Sequence, residues 1–169
     1  MEIDARVRDA VPGAEAELGR IASGPVLTVR AQDVVEVMRF LRDDPELAFD
    51  MLVDVTAVDY RTSEGRFHVV YLLRSLTRNV RLTVKVKVGG DDPTVPSVAA
   101  LWQSANWAER EAYDMFGIRF EGHPNLKRIL MYEEFVGYPL RKDYPVDKRQ
   151  PLVPERDPIT DPWPSRDGL

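Results

Sequence analysis

The chain has 169 residues, 44% of them hydrophobic, which is enough apolar side chain for one globular domain with its own core. A net charge of -5 argues against a general nucleic-acid binder. The absence of cysteine excludes cysteine-ligated iron–sulfur clusters, cysteine-rich zinc sites and disulfides within this chain, and it fits a cytosolic setting.

The opening "MEIDARVRDAVPGAEAELGR" has no apolar core of the signal-peptide kind. No apolar run approaches the roughly 20 residues that span a bilayer, so direct membrane insertion is not expected. Ile3, Val7 and Val11 recur at helical spacing until "PG" stops the pattern, which predicts a short amphipathic helix. "GPVLTVR" has the β-branched content of a strand. The next segment, "AQDVVEVMRFLRDDP", sets Val34, Val37, Met38 and Leu41 on one helical face, with Pro45 beyond its end.

Three further strands are predicted. In "AFDMLVDVTAVDY", alternation puts Phe49, Met51, Val53 and Val55 on one face and Asp50, Leu52, Asp54 and Thr56 on the other. "RFHVVYLLRS" places Phe67, Val69, Tyr71 and Leu73 together, with His68 on the face of Val70, Leu72 and Arg74. In "NVRLTVKVKV" the valines and Leu82 point one way and Arg81, Thr83, Lys85 and Lys87 the other. Such period-2 alternation describes a sheet with one buried and one wet face and favours antiparallel pairing. "SEG" between the first two of these strands suits a hairpin, and "GGDDP" ends the last.

A helical region is expected from about Pro93, beginning with "PTVPSVAALWQSA". Asn106 would cap its second part in a capping box with Glu109, and Gly117 would stop it. The fold class is therefore α+β: a mostly antiparallel sheet packed with helices, in the order helix, strand, helix, three strands, helix, over residues 1–122. Regular patterns fade after Gly122. Recurrent prolines from Tyr138 onward predict that residues 123–169 form an extended segment that orders by lying on something else.

The chemical candidates lie near "EREAYDMFGIRFEGHPNLKRIL". Glu111 and Asp114 are i,i+3 neighbours and could share a metal or a proton; the alternative is a solvated helix face with an Arg110–Asp114 ion pair. His123 could be a general base or a loop residue that hydrogen-bonds locally. No nucleophile elbow, dinucleotide fingerprint or P-loop is present. In polyproline II geometry, Tyr138, Arg141 and Tyr144 of "GYPLRKDYP" would share one edge, an aromatic–arginine set typical of interface anchors; the alternative is a loop crossing its own domain.

"SANWAEREAYDMFGIRFEGHPNLKRIL", followed by "GYPLRKDYP", resembles the 30 kDa subunit family (the C subunit) of NADH–quinone oxidoreductase, respiratory complex I. The residues that carry the likeness are Glu109, Arg110, Glu111, Asp114, His123, Lys127 and Arg128, then Tyr138, Arg141, Lys142, Asp143 and Tyr144. The resemblance implies a peripheral hydrophilic-arm subunit on the cytoplasmic side of the bacterial plasma membrane, without a redox centre or catalytic residue of its own. Flavin, iron–sulfur clusters and quinone would belong to sibling subunits of the proton-translocating complex. Its partners would be the D subunit, which is like the hydrogenase large subunit, and cluster-bearing subunits, met through the residues just named. The same domain type occurs in membrane-bound nickel–iron hydrogenases and in dehydrogenases with other donors. A free-standing hydrolase or metal enzyme using Glu111, Asp114 and His123 is the rival of another class, and an assembly factor is a further one.

Overall fold

A computed structural model describes residues 3–22, 24–61 and 65–153. Its elements are α1 (Ile3–Ala10), β1 (Ala16–Ile21), β2 (Gly24–Val29), a 3-10 turn (Ala31–Asp33), α2 (Val34–Asp43), β3 (Met51–Asp59), β4 (Phe67–Ser75), β5 (Val80–Val88), β6 (Thr94–Pro96), α3 (Ala105–Phe116) and β7 (Arg119–Glu121). Five strands form one sheet in the order β1-β2-β5-β4-β3, and β6 and β7 form a second, two-stranded one. The pairings β1–β2, β3–β4 and β4–β5 are antiparallel, whereas β2–β5 is parallel. The chain leaves the sheet after β2, forms α2, and comes back through β3 and β4, so β5 meets β2 in the same direction. The α+β expectation holds.

One face of the sheet carries the core. Val84 and Val86 of the central β5 are fully buried, as are Val69 and Tyr71 of β4 and Val34, Val37, Met38 and Leu41 of α2. These belong to one apolar cluster that also takes in Ile3 and Val7 of α1 and Ala112, Met115 and Phe116 of α3. The expected alternation of β4, that of β5 from Leu82 onward, and the apolar faces of α1 and α2 are therefore found; Val80, expected with the inward valines, is 38% exposed at the start of β5. The opposite sheet face carries Arg81, Thr83, Lys85 and Lys87 of β5 beside His68, Val70, Leu72 and Arg74 of β4.

Three expectations change. First, the register of β3 against β4 shifts between Leu52 and Asp54, a bulge that makes Val53 an extra residue. Met51 and Val53 consequently face solvent, 41% and 51% exposed, while Leu52, Val55, Ala57 and Asp59 point inward. Simple alternation cannot foresee a bulge, because every residue on one side of it changes face. Second, residues 93–104 are not helical: Thr94–Pro96 is a strand pairing with Arg119–Glu121, followed by turns. Pro93 and Pro96 lack N–H donors and bias their predecessors toward extended backbone. Third, β1 was not foreseen. "AELGRI" has little β-branched content, and it is a strand because Ala16 pairs with Val29 and Leu18 with Leu27. The expected "SEG" link lies mostly outside the described residues.

The Tyr71 hydroxyl is fully buried and has no hydrogen-bond partner among the described residues. Removing an unpartnered buried hydroxyl relieves its desolvation cost. We therefore expect Tyr71→Phe to leave the chain as stable or to raise its stability by about 1 kcal/mol, and Leu73→Ala, beside it in β4, to lower it by about 2–5 kcal/mol. Denaturant unfolding of the two variants checks both; a Tyr71→Phe variant less stable than the parent contradicts the first.

Candidate functional site

The motif residues are positioned by α3. The helix ends at Gly117, whose left-handed backbone (φ 71°) lets its amide donate to the Tyr113 carbonyl at 2.8 Å. At the other end, Ser104 holds the N-cap position, and its hydroxyl donates to the Leu52 carbonyl at 2.9 Å, tying the helix to β3. Asn106 is already inside the helix, so the predicted capping box does not form. Glu109 instead turns inward, completely buried. It accepts from the Ser97 hydroxyl at 2.6 Å and the Val98 amide at 2.8 Å, and so closes the turn after β6. Burial pushes its carboxyl up to about 7, against the opposing pull of these two hydrogen bonds.

Asp114 is also fully buried but is placed differently. Its Oδ1 accepts from the Arg128 guanidinium at 2.7 Å. Its Oδ2 accepts from three successive backbone amides, Ile129 at 3.0 Å and Leu130 and Met131 at 2.8 Å each. Burial pushes this carboxyl up, but the three amides and Arg128 outweigh it, and the group lies below its ordinary range. The expected Arg110–Asp114 pair is absent. Arg110 donates to the Lys127 and Arg128 carbonyls at 3.1 and 2.9 Å, so it too fastens the 127–131 segment to α3. The Arg128 guanidinium reaches on to the Gly137 carbonyl at 3.0 Å and lies over the rings of Phe135 and Tyr138.

His123 is held at both ring nitrogens. The Asn125 amide donates to Nδ1 at 3.0 Å, which assigns the proton to Nε2, directed at the Asn106 carbonyl at 3.0 Å. It bridges the loop to the first turn of α3 and offers no free nitrogen for proton transfer. Glu111 is exposed while Asp114 is enclosed with Arg128, and among the described residues no three carboxylate or histidine side chains come together as a possible metal group. The candidate set Glu111, Asp114 and His123 is thus not assembled. His68 lies on the opposite face of the sheet, its ring tilted against that of Tyr60 with centroids 4.4 Å apart.

Residues 138–144 form consecutive turns, not a polyproline edge: the Arg141 amide donates to the Tyr138 carbonyl and the Tyr144 amide to the Arg141 carbonyl. Arg141 faces its own domain. Its Nε donates to the Phe116 carbonyl, and its guanidinium lies 4.6 Å from the Tyr138 ring centroid and 5.1 Å from that of Phe67. The Leu140 amide donates to the Met115 carbonyl at 3.1 Å. Tyr144 stacks on Phe135 with centroids 5.9 Å apart. Of the expected anchors, Lys142 and Asp143 have exposed side chains. The Lys142 amide donates to Asp59 at 2.9 Å, and Asp143 pairs with Arg66 at 2.8 Å. Arg66 also grips Asp59 through Nε and Nη2 at 3.0 and 2.8 Å. That pairing, with the amides of Lys142 and Arg61, holds the buried Asp59 carboxyl far below its ordinary range, and Arg66 is raised in turn.

Asp59 and Arg66 were missed from the sequence. The available signal was Asp59 itself, an acid in phase with the apolar Val55 and Ala57 beyond the bulge. A second omission is Trp107, which is 72% exposed on α3, with Leu130 at 58% and Leu140 at 54% on the segments fastened to that helix.

Three outcomes are expected. Asp114→Ala frees three amides and one guanidinium at once, so hydrogen exchange at Ile129, Leu130 and Met131 accelerates and stability falls by about 3–5 kcal/mol; unchanged protection there contradicts the assignment. A Cβ on residue 117 would collide with the Tyr138 ring in a backbone conformation that L side chains rarely adopt, so Gly117→Ala displaces the 138–144 turns and costs about 1–3 kcal/mol. The third concerns pH. Glu109 has a folded value near 7, above its ordinary 4.5, so its stabilising contribution is complete below 4.5 and is lost as pH rises through 7. Denaturant titrations should find the parent losing about 3 kcal/mol from this group on going from below pH 4.5 to above pH 7, and Glu109→Gln lacking that loss. An equal slope in both proteins contradicts it.

Residues 27–150 match the family described as respiratory-chain NADH dehydrogenase, 30 kDa subunit. The C subunit of NADH-quinone oxidoreductase from Roseiflexus sp. (strain RS-1) is 49% identical over 141 residues, covering 83% of this chain and 81% of the relative. That of Citrifermentans bemidjiense is 50% identical over 132 residues, 78% of each. Among solved structures, a trypsin-resistant fragment of Nqo5 matches with a TM-score of 0.60 and 34% identity, over 75% of this chain and 100% of the fragment. A chain of the membrane-bound sulfane sulfur reductase, an archaeal respiratory membrane complex, matches with a TM-score of 0.67 and 26% identity, over 86% of this chain and 85% of that one. With its α+β sheet and its 109–144 motif in place, the chain belongs to the respiratory-chain NADH dehydrogenase 30 kDa subunit family.

Proposed function

We propose that this chain is a non-catalytic structural subunit of the hydrophilic arm of a proton-translocating NADH–quinone oxidoreductase. It sits peripherally on the cytoplasmic side of the bacterial plasma membrane. There it docks against the D subunit, the one like the hydrogenase large subunit, and against cluster-bearing neighbours. Flavin, iron–sulfur clusters and quinone are handled by those siblings. The docking surface is built by residues 107–144.

One observation carries the reading. The motif's charged side chains Glu109, Arg110, Asp114, Arg128 and Arg141 are bonded within the chain, and the platform they hold together leaves the large apolar side chains of Trp107, Leu130 and Leu140 in solvent. Aromatic and aliphatic groups on a rigid support are the usual anchors of protein–protein contacts. The exposed Lys127 and Lys142 and the exposed Glu111 supply polar groups around them. Tyr138 and Tyr144 serve by shaping the platform, because their rings pack on Arg141, Arg128 and Phe135. The likeness to the sulfane sulfur reductase chain favours, as a second reading, the equivalent subunit of a membrane-bound complex with another electron donor. The high identity to subunits named for NADH–quinone oxidoreductase favours the first.

The test uses the chain expressed in its own bacterium with a purification tag. Trp107→Ala combined with Leu130→Ala should leave the thermal midpoint of the purified chain within about 2 °C. The same variant should lower the recovered hydrogenase-like subunit about tenfold or more, since interface anchors cost on the order of 2 kcal/mol each. NADH–quinone activity of the membranes should fall in proportion. Full recovery of the sibling subunit with this variant contradicts the docking surface.

A further inference from the structure

The sheet face turned away from the helices takes no part in the platform, yet it is not an ordinary wet face. Arg74 of β4 and Arg81 of β5 are direct cross-strand neighbours there. Like charges placed directly opposite each other destabilise a strand pair. Neither guanidinium forms an ion pair among the described residues; Arg74 Nη2 donates to Asn79 at 2.7 Å, and its Nε is buried without a partner. The carboxylates at this end of the sheet, Asp50 and Asp54, accept from the amides of Leu76 and Val55.

The two arginines form one side of a cavity of about 350 Å³, and Met51, Val53 and Leu72, all exposed, form the other. The β3 bulge is what turns Val53 outward here. β4 and β5 contribute no acidic residue, whereas Lys85 extends the positive charge along the same face. A cationic, half-apolar recess therefore stands on a chain whose net charge is -5.

We propose that this recess is a second docking site, filled by an extended acidic segment of a sibling subunit. That segment sets an Asp or Glu carboxylate between Arg74 and Arg81 and an apolar side chain against Met51, Val53 and Leu72. The carboxylate would remove the cross-strand repulsion and supply Arg74 Nε with its acceptor. A recess of this volume takes one or two side chains, whereas a bilayer surface needs a protruding apolar element. Because α3 and its platform lie on the other face of the sheet, the subunit would join two partners from opposite sides. The proposal rests on the chain working inside an assembly, not on which subunit meets the platform.

The full-length chain is titrated with an N-acetylated, C-amidated Leu-Glu-Leu-Glu-Leu peptide, with its glutamine counterpart, and with phosphatidylglycerol vesicles. The acidic peptide should bind about tenfold or more tighter than the neutral one, and Arg74→Gln with Arg81→Gln should abolish that difference. Arg81→Lys should keep part of the difference, and Trp107→Ala, on the other surface, should leave it intact. In the assembled complex, a photo-crosslinking residue at Met51 should capture an acidic, apolar segment of another subunit. Equal binding of the two peptides, no binding of either, no effect of the arginine substitutions, preference for the vesicles, or capture of lipid or of a second copy of this chain would each overturn the proposal. Loss of assembly in the platform variant with normal capture at Met51 separates a failure of one surface from a failure of the other.

Discussion

The architecture of the motif depends on one carboxylate. Asp114 is held inside the protein by α3 and Gly117, and it collects three consecutive backbone amides on one oxygen and a guanidinium on the other. Without it, the 128–131 segment would carry part-buried donors with no acceptor in the chain. With it, a stretch of chain with no helix or strand of its own acquires a fixed path. Arg128 passes that order to Gly137 and the rings of Phe135 and Tyr138, and Arg141 returns it to the end of α3. The 138–144 turns then reach Asp59 and Arg66 at the far end of β3 and β4. A chain of charge-assisted hydrogen bonds does here what a hydrophobic core does elsewhere, which explains why so proline-rich a segment stays on the domain.

Two acids on one helix end up with opposite electrostatics. Asp114 has a cation and three amides, and its charged form is favoured. Glu109, about a turn and a half earlier, has two donors and no cation, and burial dominates. A carboxyl near neutrality in a buried position often marks proton chemistry. Here its oxygens are engaged by Ser97 and Val98, which places it as the staple of the turn between β6 and α3. Of the motif's charges, Glu109, Arg110, Asp114, Arg128 and Arg141 are thus bonded within the chain, while Glu111, Lys127 and Lys142 stay at the surface around the exposed apolar side chains.

How much of this the sequence discloses depends on the kind of interaction. Elements set by periodic burial were legible: α1, α2, β4 and β5 bury most of the residues that alternation or helical spacing marks, the exceptions being Val11, half-buried past the end of α1, and Val80, 38% exposed at the start of β5. Gly117 was legible because a helix stop needs a left-handed residue. β1 was not, since its stability comes from pairing with β2 rather than from its own composition. The β3 bulge was not, since one inserted residue reverses the faces without a signature in residue type. In the site, the residues that matter could be named but not their partners. Asp114 could pair with Arg110 four positions away on the helix; the structure pairs it with Arg128 fourteen positions away. Asn106 and Glu109 have capping-box spacing, yet the N-cap falls two residues earlier, at Ser104, and Glu109 is drawn inward by Ser97. Long-range partners of this kind are decided by the tertiary fold.

The central claim is that the motif's charges hold this chain's own platform while apolar side chains meet the partner. A density map of the intact respiratory complex that resolves side chains tests it most directly. The account predicts Asp114 still enclosed by Arg128 and the 129–131 amides, Arg141 still on the Phe116 carbonyl, and Trp107, Leu130 and Leu140 seated in a neighbouring subunit. A map in which Asp114, Arg128 or Arg141 has left its internal partner to pair with a neighbour's side chain, with Trp107 in solvent, would contradict it.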